Sequence, residues 1–407
     1  KFTLKENGKL EIKNKYFYTN LNNFTFEWEL LKNGENIASD ILNIDVEPSS
    51  SKLISLPLDK IEEKGEYFLN VFAYTKNAGA LIPKHHELAR AQFNVGKQTY
   101  FTQTELNHQK KIKYTQKGDV LSFEAANIEG VFNLKEGKLT SYHLKNKKEI
   151  IESFPTPYFW RAPTDNDFGN QMQEKLAVWK NAHQAQITGV TVGKQTDNGL
   201  PIEVKMQLKD VEVSYAVEYL LLNSGAIKVT ASMDMKDKEL PELPRFGMRL
   251  ELAGLYDGLS YYGRGPWENY SDRNTSSFLG VFKAKVADQF TWEYIRPQEN
   301  GYKTDVRWLK LLNNAGEGIE FTGAQPLGFS ALNVSTESLD PGKTKNQRHT
   351  TDVHPQDKVF LHLDYKQRGL GGDNSWGALP HKPYRLLDTK YTYSYTISLI
   401  NEKDDEK

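Results

Sequence analysis

Alternating apolar and polar residues, the pattern of half-buried strands, continue along this chain from about residue 114 to residue 401. One segment departs from it: residues 170–183 place apolar side chains at helical spacing and predict a helix. Because strands do not alternate with helices, a (β/α) barrel and a doubly wound sheet are excluded for these residues. We expect an antiparallel barrel or a large two-sheet sandwich. The clearest strand runs are residues 131–134, 139–142, 202–208, 211–222, 227–233, 245–252 and 391–400.

The first part of the chain has its own strand pattern, with turn residues at shorter intervals. Apolar and polar residues alternate over 24–30, and Asn33-Gly34, a strong hairpin signal, follows them. Similar runs at 10–12 and 66–74 give the spacing typical of an immunoglobulin-like sandwich. The predicted organisation is an immunoglobulin-like domain at 1–96, a polar connection at 97–113, a large antiparallel β domain at 114–401 and a charged tail at 402–407.

Charge and composition exclude several classes of function. The chain has 52 basic and 53 acidic residues, a net charge of −1, and no basic block, which argues against nucleic acid or an anionic membrane as the main partner. It has no cysteine, so disulfides, thiol nucleophiles and cysteine zinc sites are excluded. No apolar stretch approaches the roughly 20 residues that span a bilayer. The start at Lys1, without Met, suggests a piece of a longer protein.

Most familiar catalytic motifs are missing. The nine histidines have no metal-binding spacing, and there is no Gly-x-Ser-x-Gly and no phosphate-binding loop. Residues 165–169 have some of the acidic residues of a calcium loop but lack its distal Glu, so we interpret the Asp/Asn cluster as a helix N-cap. Paired carboxylates stay possible, because 53 acidic residues offer many pairs and spacing alone selects none.

The glycine-rich segment 369–377 carries Trp376 and is predicted to be a shaped, solvent-facing loop. An indole face is a good platform for the C–H surface of a sugar, because it is large, rigid and apolar. The alternative is that Trp376 pins the loop to the body of the fold. Two other segments, 160–167 and 262–273, mix turn formers, aromatics and charges. Their Arg161 and Arg273 either bind nearby Asp residues or carbonyls and lock long loops, or belong to a surface shaped against a sugar or another domain.

Four motifs occur in one order along the chain, at residues 161–167, 265–273, 298–301 and 371–376. With this order and spacing, the chain resembles the C-terminal part of the large β-galactosidases of glycoside hydrolase family 2. The resemblance implies an all-β fold in which an immunoglobulin-like β-sandwich is followed by a large antiparallel supersandwich, similar to galactose mutarotases. It also implies that the catalytic (β/α) barrel, with its two glutamates and its magnesium and sodium ligands, precedes this sequence.

No catalytic residue, metal ligand or cofactor is therefore assigned to this chain. Trp376 occupies the position of the family residue that stacks against the substrate. The resemblance gives Gly371, Gly372, Asp373, Asn374 and Ser375 the role of shaping its loop, and the family variant has Asp where this chain has Asn374.

The implied partners are a β-galactoside, such as lactose, and the protein's own N-terminal and barrel domains. A homo-oligomer is also possible. The implied protein is soluble, in the cytoplasm or periplasm of a bacterium.

Two other functions stay open at this level. A free-standing aldose-epimerase-like enzyme would need a histidine acid and a carboxylate base, for which His349 or His362 and Glu320 or Glu299 are candidates. A non-catalytic carbohydrate-binding or assembly module would instead use exposed aromatic residues as its platform.

Overall fold

Antiparallel strands build almost the whole molecule, so the all-β fold class predicted from the sequence is confirmed. The computed structural model describes residues 1–6, 8–58, 61–62, 64–102, 110–236 and 238–402. The middle of the predicted connection, 103–109, and most of the predicted tail, 403–407, lie outside the described residues. The chain divides into two compact units, Lys1–Thr104 with Leu279–Val281, and Glu105–Phe278 with Phe282–Lys407.

The first unit contains two antiparallel sheets around one apolar core. Its strands are β1 (Phe2–Leu4), β2 (Leu10–Lys13), β3 (Phe24–Lys32), β4 (Glu35–Leu42), β5 (Ser51–Ile54), β6 (Tyr67–Thr75) and β7 (Glu87–Val95). One sheet has the order β1-β2-β5 and the other the order β4-β3-β6-β7. Phe26, Trp28 and Leu30 of β3 are buried in the core, as their alternation predicts. Asn33 and Gly34 both have positive φ, 50° and 86°, and close the predicted hairpin between β3 and β4.

The second unit is organised around one sheet of 12 strands and one of four. The next strands along the chain are β8 (Lys113–Lys117), β9 (Val120–Ala125), β10 (Ile128–Asn133), β11 (Lys138–Leu144), β12 (Ile151–Tyr158), β13 (Gln186–Val192), β14 (Gly199–Gln207), β15 (Ser214–Leu222) and β16 (Ile227–Asp234). They are followed by β17 (Arg245–Ala253), β18 (Gly258–Gly265), β19 (Phe278–Lys285), β20 (Lys303–Leu312), β21 (Glu317–Leu332), β22 (Lys358–Gln367) and β23 (Lys390–Asn401). Each strand run named from the sequence in this part of the chain coincides with a strand, but the run predicted over 211–222 starts too early, since β15 begins at Ser214.

Sheet order determines which loops can meet. The small sheet has the order β11-β10-β9-β8. The large sheet runs β12-β17-β22-β21-β23-β16-β15-β14-β13, with β20 paired to β21 and β18 paired to β20 and β19. Strands β12, β18 and β22 each lead directly into one of the motif segments, and the motif at 298–301 leads into β20. The four motifs thus connect to strands of a single sheet.

The helix predicted over 170–183 is wrong in its bounds and its continuity. The structure has α1 (Asp165–Asn170), α2 (Met172–Lys175) and a 3-10 turn, Ala177–Trp179. Gln171 separates the two helices because it takes the left-handed conformation, with φ 66°. The periodic apolar residues still pack inward, since Met172, Leu176 and Trp179 are buried. The remaining helical elements are α3 (Thr336–Leu339) and 3-10 turns at Leu21–Asn23, Tyr100–Thr102, Val286–Gln289, Thr350–Asp352 and Lys382–Tyr384.

The Asp/Asn cluster at residues 165–167 forms the first turn of α1, not its N-cap. Thr164 is the N-cap, and its hydroxyl accepts a hydrogen bond from the Asp167 N–H. Asp167 completes a capping box, because its carboxylate accepts the Thr164 N–H at 3.0 Å. Acidic residues stabilise the positive N-terminal end of a helix, which explains why the cluster lies in the first turn, directly after the N-cap.

We expect Trp179→Ala to lower the free energy of unfolding of the second unit by about 3–5 kcal/mol, because it leaves a large cavity. Trp179 is fully buried and its indole N–H donates to the Pro241 carbonyl at 3.1 Å. Urea unfolding followed by circular dichroism measures the change. The neighbouring Val178 is 39% exposed, so Val178→Ala should stay within about 0.5 kcal/mol of the parent. Equal losses in the two variants would contradict the assigned packing.

Candidate functional site

The motif at 161–167 is held to the strand that leads into the glycine loop by a buried arginine. Arg161 is fully buried, and its guanidinium makes two hydrogen bonds to the Asp167 carboxylate, at 3.0 and 2.8 Å. It also donates to the Gly369 carbonyl and to the Gln367 side chain, each at 3.0 Å. Burial opposes ionisation, but the neighbouring acidic groups, Asp167 first and then Glu299, together offset it and raise the pKa of Arg161. The sequence hypothesis that Arg161 locks loops is therefore confirmed.

Arg368, the residue just before the glycine loop, extends this ion-pair network. Its guanidinium lies 2.9 Å from the Asp167 carboxylate and 3.1 Å from Glu242. Glu242 in turn pairs with Arg385 at 2.6 Å. Burial and the neighbouring Arg161 charge lower the pKa of Arg368. Asp167 thus lies between two buried guanidinium groups; it is the carboxylate partner of Arg161, and it shares the neutralisation of Arg368 with Glu242.

The motif at 265–273 holds the glycine loop directly. The Asp272 carboxylate accepts the N–H groups of Leu370 and Gly371 at 3.0 and 2.7 Å. From the first motif, the Asn166 side chain donates to the Leu370 carbonyl at 3.2 Å. Two backbone N–H groups bound by one carboxylate fix both the position and the direction of the loop entry.

The motif at 298–301 joins the same cluster. The Gln298 side-chain oxygen accepts the Asp165 N–H at 3.0 Å, and the Glu299 N–H donates to the Ala162 carbonyl at 3.3 Å. The Glu299 carboxylate pairs with buried Arg245 at 2.8 Å. All four motifs, which are far apart in the sequence, are therefore joined in one cluster within the second unit.

Arg273 has a different partner from the Asp or carbonyl that its motif suggests. Its guanidinium lies 2.6 Å from Glu268 and 5.4 Å from the centre of the Tyr270 ring. Glu268 also accepts the Gly301 N–H at 2.8 Å. Arg273 thus stabilises the loop that carries Asp272.

The tip of the glycine loop passes very close to helix α1. Gly377 has φ 83°, and a Cβ added there would lie 2.3 Å from the Gly169 carbonyl oxygen. Only glycine allows both the left-handed backbone and this approach. Gly371 and Gly372 also have positive φ, 68° and 101°, so the turn that precedes Trp376 favours glycine at both positions.

The indole of Trp376 projects from this anchored loop into solvent and is 90% exposed. The Asn374 side-chain oxygen accepts the backbone N–H of Trp376 at 2.9 Å and so closes the turn that carries the indole. Asp373 pairs with the His381 imidazole at 2.5 Å, while Ser375 is exposed. The ring does not pin the loop to the fold, because most of its surface is free.

A cavity of about 550 Å³ lies beside Trp376. Met172, Leu176 and Leu379 give it an apolar side, and Arg368, Glu242 and Arg385 give it a charged side. The arrangement offers an aromatic face and fixed polar groups to a ligand. Among the described residues, no group of three or more His, Asp or Glu side chains could hold a metal ion.

The sequence analysis did not assign a role to four residues of this cluster. Two of them have a sequence signal, because Arg368 directly precedes the glycine loop and Asp272 lies inside a recognised motif. Glu242 and Arg385 lie in segments without a motif, and only the fold brings them to the loop.

The candidate acid and base residues of the epimerase hypothesis have other partners. His362 is buried and its Nε2 lies 3.1 Å from the Thr336 hydroxyl, while burial lowers its pKa well below the ordinary value. Glu299 pairs with Arg245, and His349 is the N-cap of the 3-10 turn Thr350–Asp352, where its backbone N–H donates to the Asp352 carboxylate at 2.8 Å. Glu320 lies opposite Lys310 and Ser398 within the sheet. His362 and Glu299 are thus held by other partners, which gives the epimerase hypothesis no support.

Comparison with known proteins assigns both parts of the chain. Residues 124–399, more than half of the chain, match the family model described as the beta-galactosidase small chain, and residues 10–96 match the model of beta-galactosidase domain 4. This chain belongs to the β-galactosidase family. The beta-galactosidase of Priestia megaterium is 33% identical over 96% of this chain, and that of Streptococcus thermophilus is 28% identical over 96%. This chain spans 37% of the length of each of these relatives.

Solved structures with weak similarity were also found. A galactose mutarotase related enzyme from Lactobacillus acidophilus aligns with 71% of this chain and 97% of its own, at 10% identity and a TM-score of 0.35. An alpha-galactosidase from Lactobacillus brevis aligns with 71% of this chain and 39% of its own, at 11% identity and a TM-score of 0.33. In the described part of the chain, no helix has the length and apolar character needed to cross a membrane.

We expect Asp272→Asn to loosen the glycine loop, because an amide can accept one N–H through its oxygen but presents an NH₂ group to the other. Loss of roughly 1–3 kcal/mol of local stability should speed amide hydrogen exchange at Leu370 and Gly371 by about 5- to 150-fold. Hydrogen exchange with mass spectrometry measures this rate. Asp210→Asn removes an equal charge from an exposed turn and should leave the loop unchanged. Unchanged exchange in the Asp272 variant would show that this carboxylate does not hold the loop in place.

Buried Lys303 hydrogen-bonds to the motif at 298–301, and its ionisation leads to a prediction of how stability depends on pH. It is 2% exposed, and its Nζ donates to the Gln289 side chain at 2.9 Å and the Gly301 carbonyl at 3.2 Å. Burial lowers its pKa from 10.5 to about 8, against the opposing charge of Glu268. Below pH 8 the lysine is charged in both the folded and the unfolded chain, so the full cost of burying the charge lowers the free energy of unfolding. Between pH 8 and 10.5 the folded chain releases the proton while the unfolded chain keeps it, so the free energy of unfolding rises with pH and the cost disappears.

The stability difference between the parent and Lys303→Met should therefore shift by about 3 kcal/mol in favour of the parent between pH 7.5 and 10.5. Urea unfolding at several pH values gives this difference. A constant difference over that window would show that Lys303 keeps its ordinary proton affinity in the fold.

Proposed function

We propose that this chain is the C-terminal part of a retaining β-galactosidase, a glycoside hydrolase that removes terminal β-D-galactosyl groups from substrates such as lactose. Two family models that match in order along the chain, and relatives named beta-galactosidase, support this function. The observation that carries the proposed role is the exposed indole of Trp376, presented by a loop that the motifs at 161–167 and 265–273 hold in place.

In this proposal Trp376 contributes one wall of the sugar pocket. Its free face stacks on the C–H surface of the substrate, which is worth about 0.5–1.5 kcal/mol beyond burial by analogy with aromatic pairs. Gly371, Gly372, Asp373, Asn374 and Ser375 shape the loop and do not contact the sugar. Stacking binds and orients the substrate, but it transfers no proton and attacks no carbon.

The bond-breaking groups are proposed to lie elsewhere in the whole enzyme. Retention requires two carboxyl groups only about 5 Å apart, one as acid/base and one as nucleophile. We assign these groups, and the magnesium and sodium ligands of the family, to sequence that the longer relatives have beyond the matched region. The isolated chain is then inactive, and its partner is the remainder of the same enzyme.

Steady-state kinetics of the longer enzyme test the role of Trp376. Trp376→Ala should raise KM for lactose about 2- to 10-fold, because stacking is lost while the catalytic groups stay in place. Trp292→Ala is a matched control, since Trp292 is another partly exposed indole, 43% accessible, outside the glycine loop. Equal small effects in the two variants would reduce Trp376 to an ordinary surface residue.

The location of the catalytic groups has a separate test. The purified 407-residue chain should not hydrolyse a nitrophenyl β-galactoside above the uncatalysed rate. Hydrolysis by this chain alone would overturn the assignment of the carboxylates to another part of the enzyme, while leaving the proposed substrate class intact.

A further inference from the structure

The glycine loop returns to the place where it starts, and His381 lies at that place. The Gly369 N–H, at the start of the loop, donates to the Tyr384 carbonyl at 2.7 Å. The Tyr384 N–H in turn donates to the His381 carbonyl at 2.9 Å, in the 3-10 turn of which His381 is the N-cap. A Cβ added to Gly371 would lie 3.3 Å from the Pro380 nitrogen, so the outgoing and returning segments nearly touch. These contacts form the base of the loop, and the His381 backbone belongs to it.

The tip of the loop, residues 373–378, carries the indole of Trp376 beyond this base. Asn374 makes its two side-chain hydrogen bonds to N–H groups inside the tip. Gly377 lies against the C-terminal part of helix α1. The first contact is internal to the tip and the second acts near its end, so neither acts on its first residue, Asp373.

A side-chain pair connects that first residue with the base. The Asp373 carboxylate lies 2.5 Å from Nε2 of the His381 imidazole. A carboxylate can only accept a hydrogen bond, so the imidazole is the donor. The two residues stand before and after Trp376 in the chain, and both side chains are more than half exposed. The pair therefore spans the loop at the surface that also presents the indole.

The other charged groups around the loop already have partners. Asp272 binds two N–H groups of the loop entry, and Arg385 pairs with Glu242 at 2.6 Å. Asp165, on helix α1, pairs with two basic side chains. These carboxylates are therefore bound elsewhere, and Asp373 is the acidic group that the imidazole contacts.

The size of the effect follows from the exposure of the pair. Exposed ion pairs typically shift an equilibrium about 1.4- to 5-fold, because water screens their attraction. Aromatic stacking corresponds to about 2- to 12-fold on the same scale. Loss of the pair should therefore remove a measurable part of the affinity that stacking supplies.

We propose that His381 is a positioning residue for Trp376. Its backbone is fixed at the base of the loop, and its imidazole holds Asp373 at the start of the tip, so the indole keeps one orientation toward the sugar. His381 acts through the loop and does not contact the substrate. The proposal rests on the stacking role of Trp376 proposed above.

Steady-state kinetics of the longer enzyme with lactose test the pair. His381→Ala and Asp373→Ala should each raise KM about 1.4- to 5-fold and leave kcat unchanged, because the catalytic groups are not touched. The double variant should raise KM no further than either single one, since both changes remove the same contact. His354→Ala and Asp119→Ala are matched controls, exposed and outside the loop, and should keep the parent KM. All variants should melt at the parent temperature. An unchanged KM in both single variants, or KM increases that multiply in the double variant, would overturn the proposal.

A second comparison tests whether His381 acts through the indole. In an enzyme that already carries Trp376→Ala, His381→Ala should raise KM no further, and a further increase would refute the positioning role. The two proposals fail in different ways. An unchanged KM in Trp376→Ala refutes the stacking role itself, whereas a raised KM in Trp376→Ala with an unchanged one in His381→Ala and Asp373→Ala refutes only the role of His381.

Discussion

The carboxylate of Asp167, between the guanidinium groups of Arg161 and Arg368, is the interaction on which the candidate site depends. All three side chains are buried, with at most 1% of each exposed. Breaking such a pair by removing one partner typically costs about 3–5 kcal/mol, because the other charge is left uncompensated. Asp167 also completes the capping box of helix α1 and so links the start of that helix to the end of β22. One residue therefore joins helix capping, charge neutralisation and the placement of the glycine loop.

This rigidity matters because the proposed contact is weak. Aromatic stacking is worth about 0.5–1.5 kcal/mol, and ordering one flexible side chain on binding costs a similar amount. If the loop had to be ordered by the substrate, the gain would largely be cancelled. Here Asp272 holds the loop entry, Asn374 closes the turn, and close contact between Gly377 and Gly169 fixes the exit. The indole can thus be exposed and yet held in one position.

Neighbouring residues in the chain serve different cavities. Ser271 lines a cavity of about 320 Å³ in the second unit, whereas Asp272 binds the glycine loop. Gln367 at the end of β22 lines the same 320 Å³ cavity, whereas Arg368 lines the cavity beside Trp376. Successive side chains of an extended segment point to opposite sides, so one strand end can contribute to two different surroundings.

The sequence alone determined the strands, the all-β class and the hairpin at Asn33-Gly34, because local alternation and turn chemistry act between near neighbours. It also singled out the four motifs and Trp376. It failed at α1, where the left-handed Gln171 interrupts a regular apolar period, and it did not select Glu242 or Arg385. Glu242 lies 126 residues before Arg368 and 143 residues before Arg385, the two arginines with which it pairs. Only tertiary structure decides such contacts, because sheet order, and not sequence spacing, sets which strand ends meet.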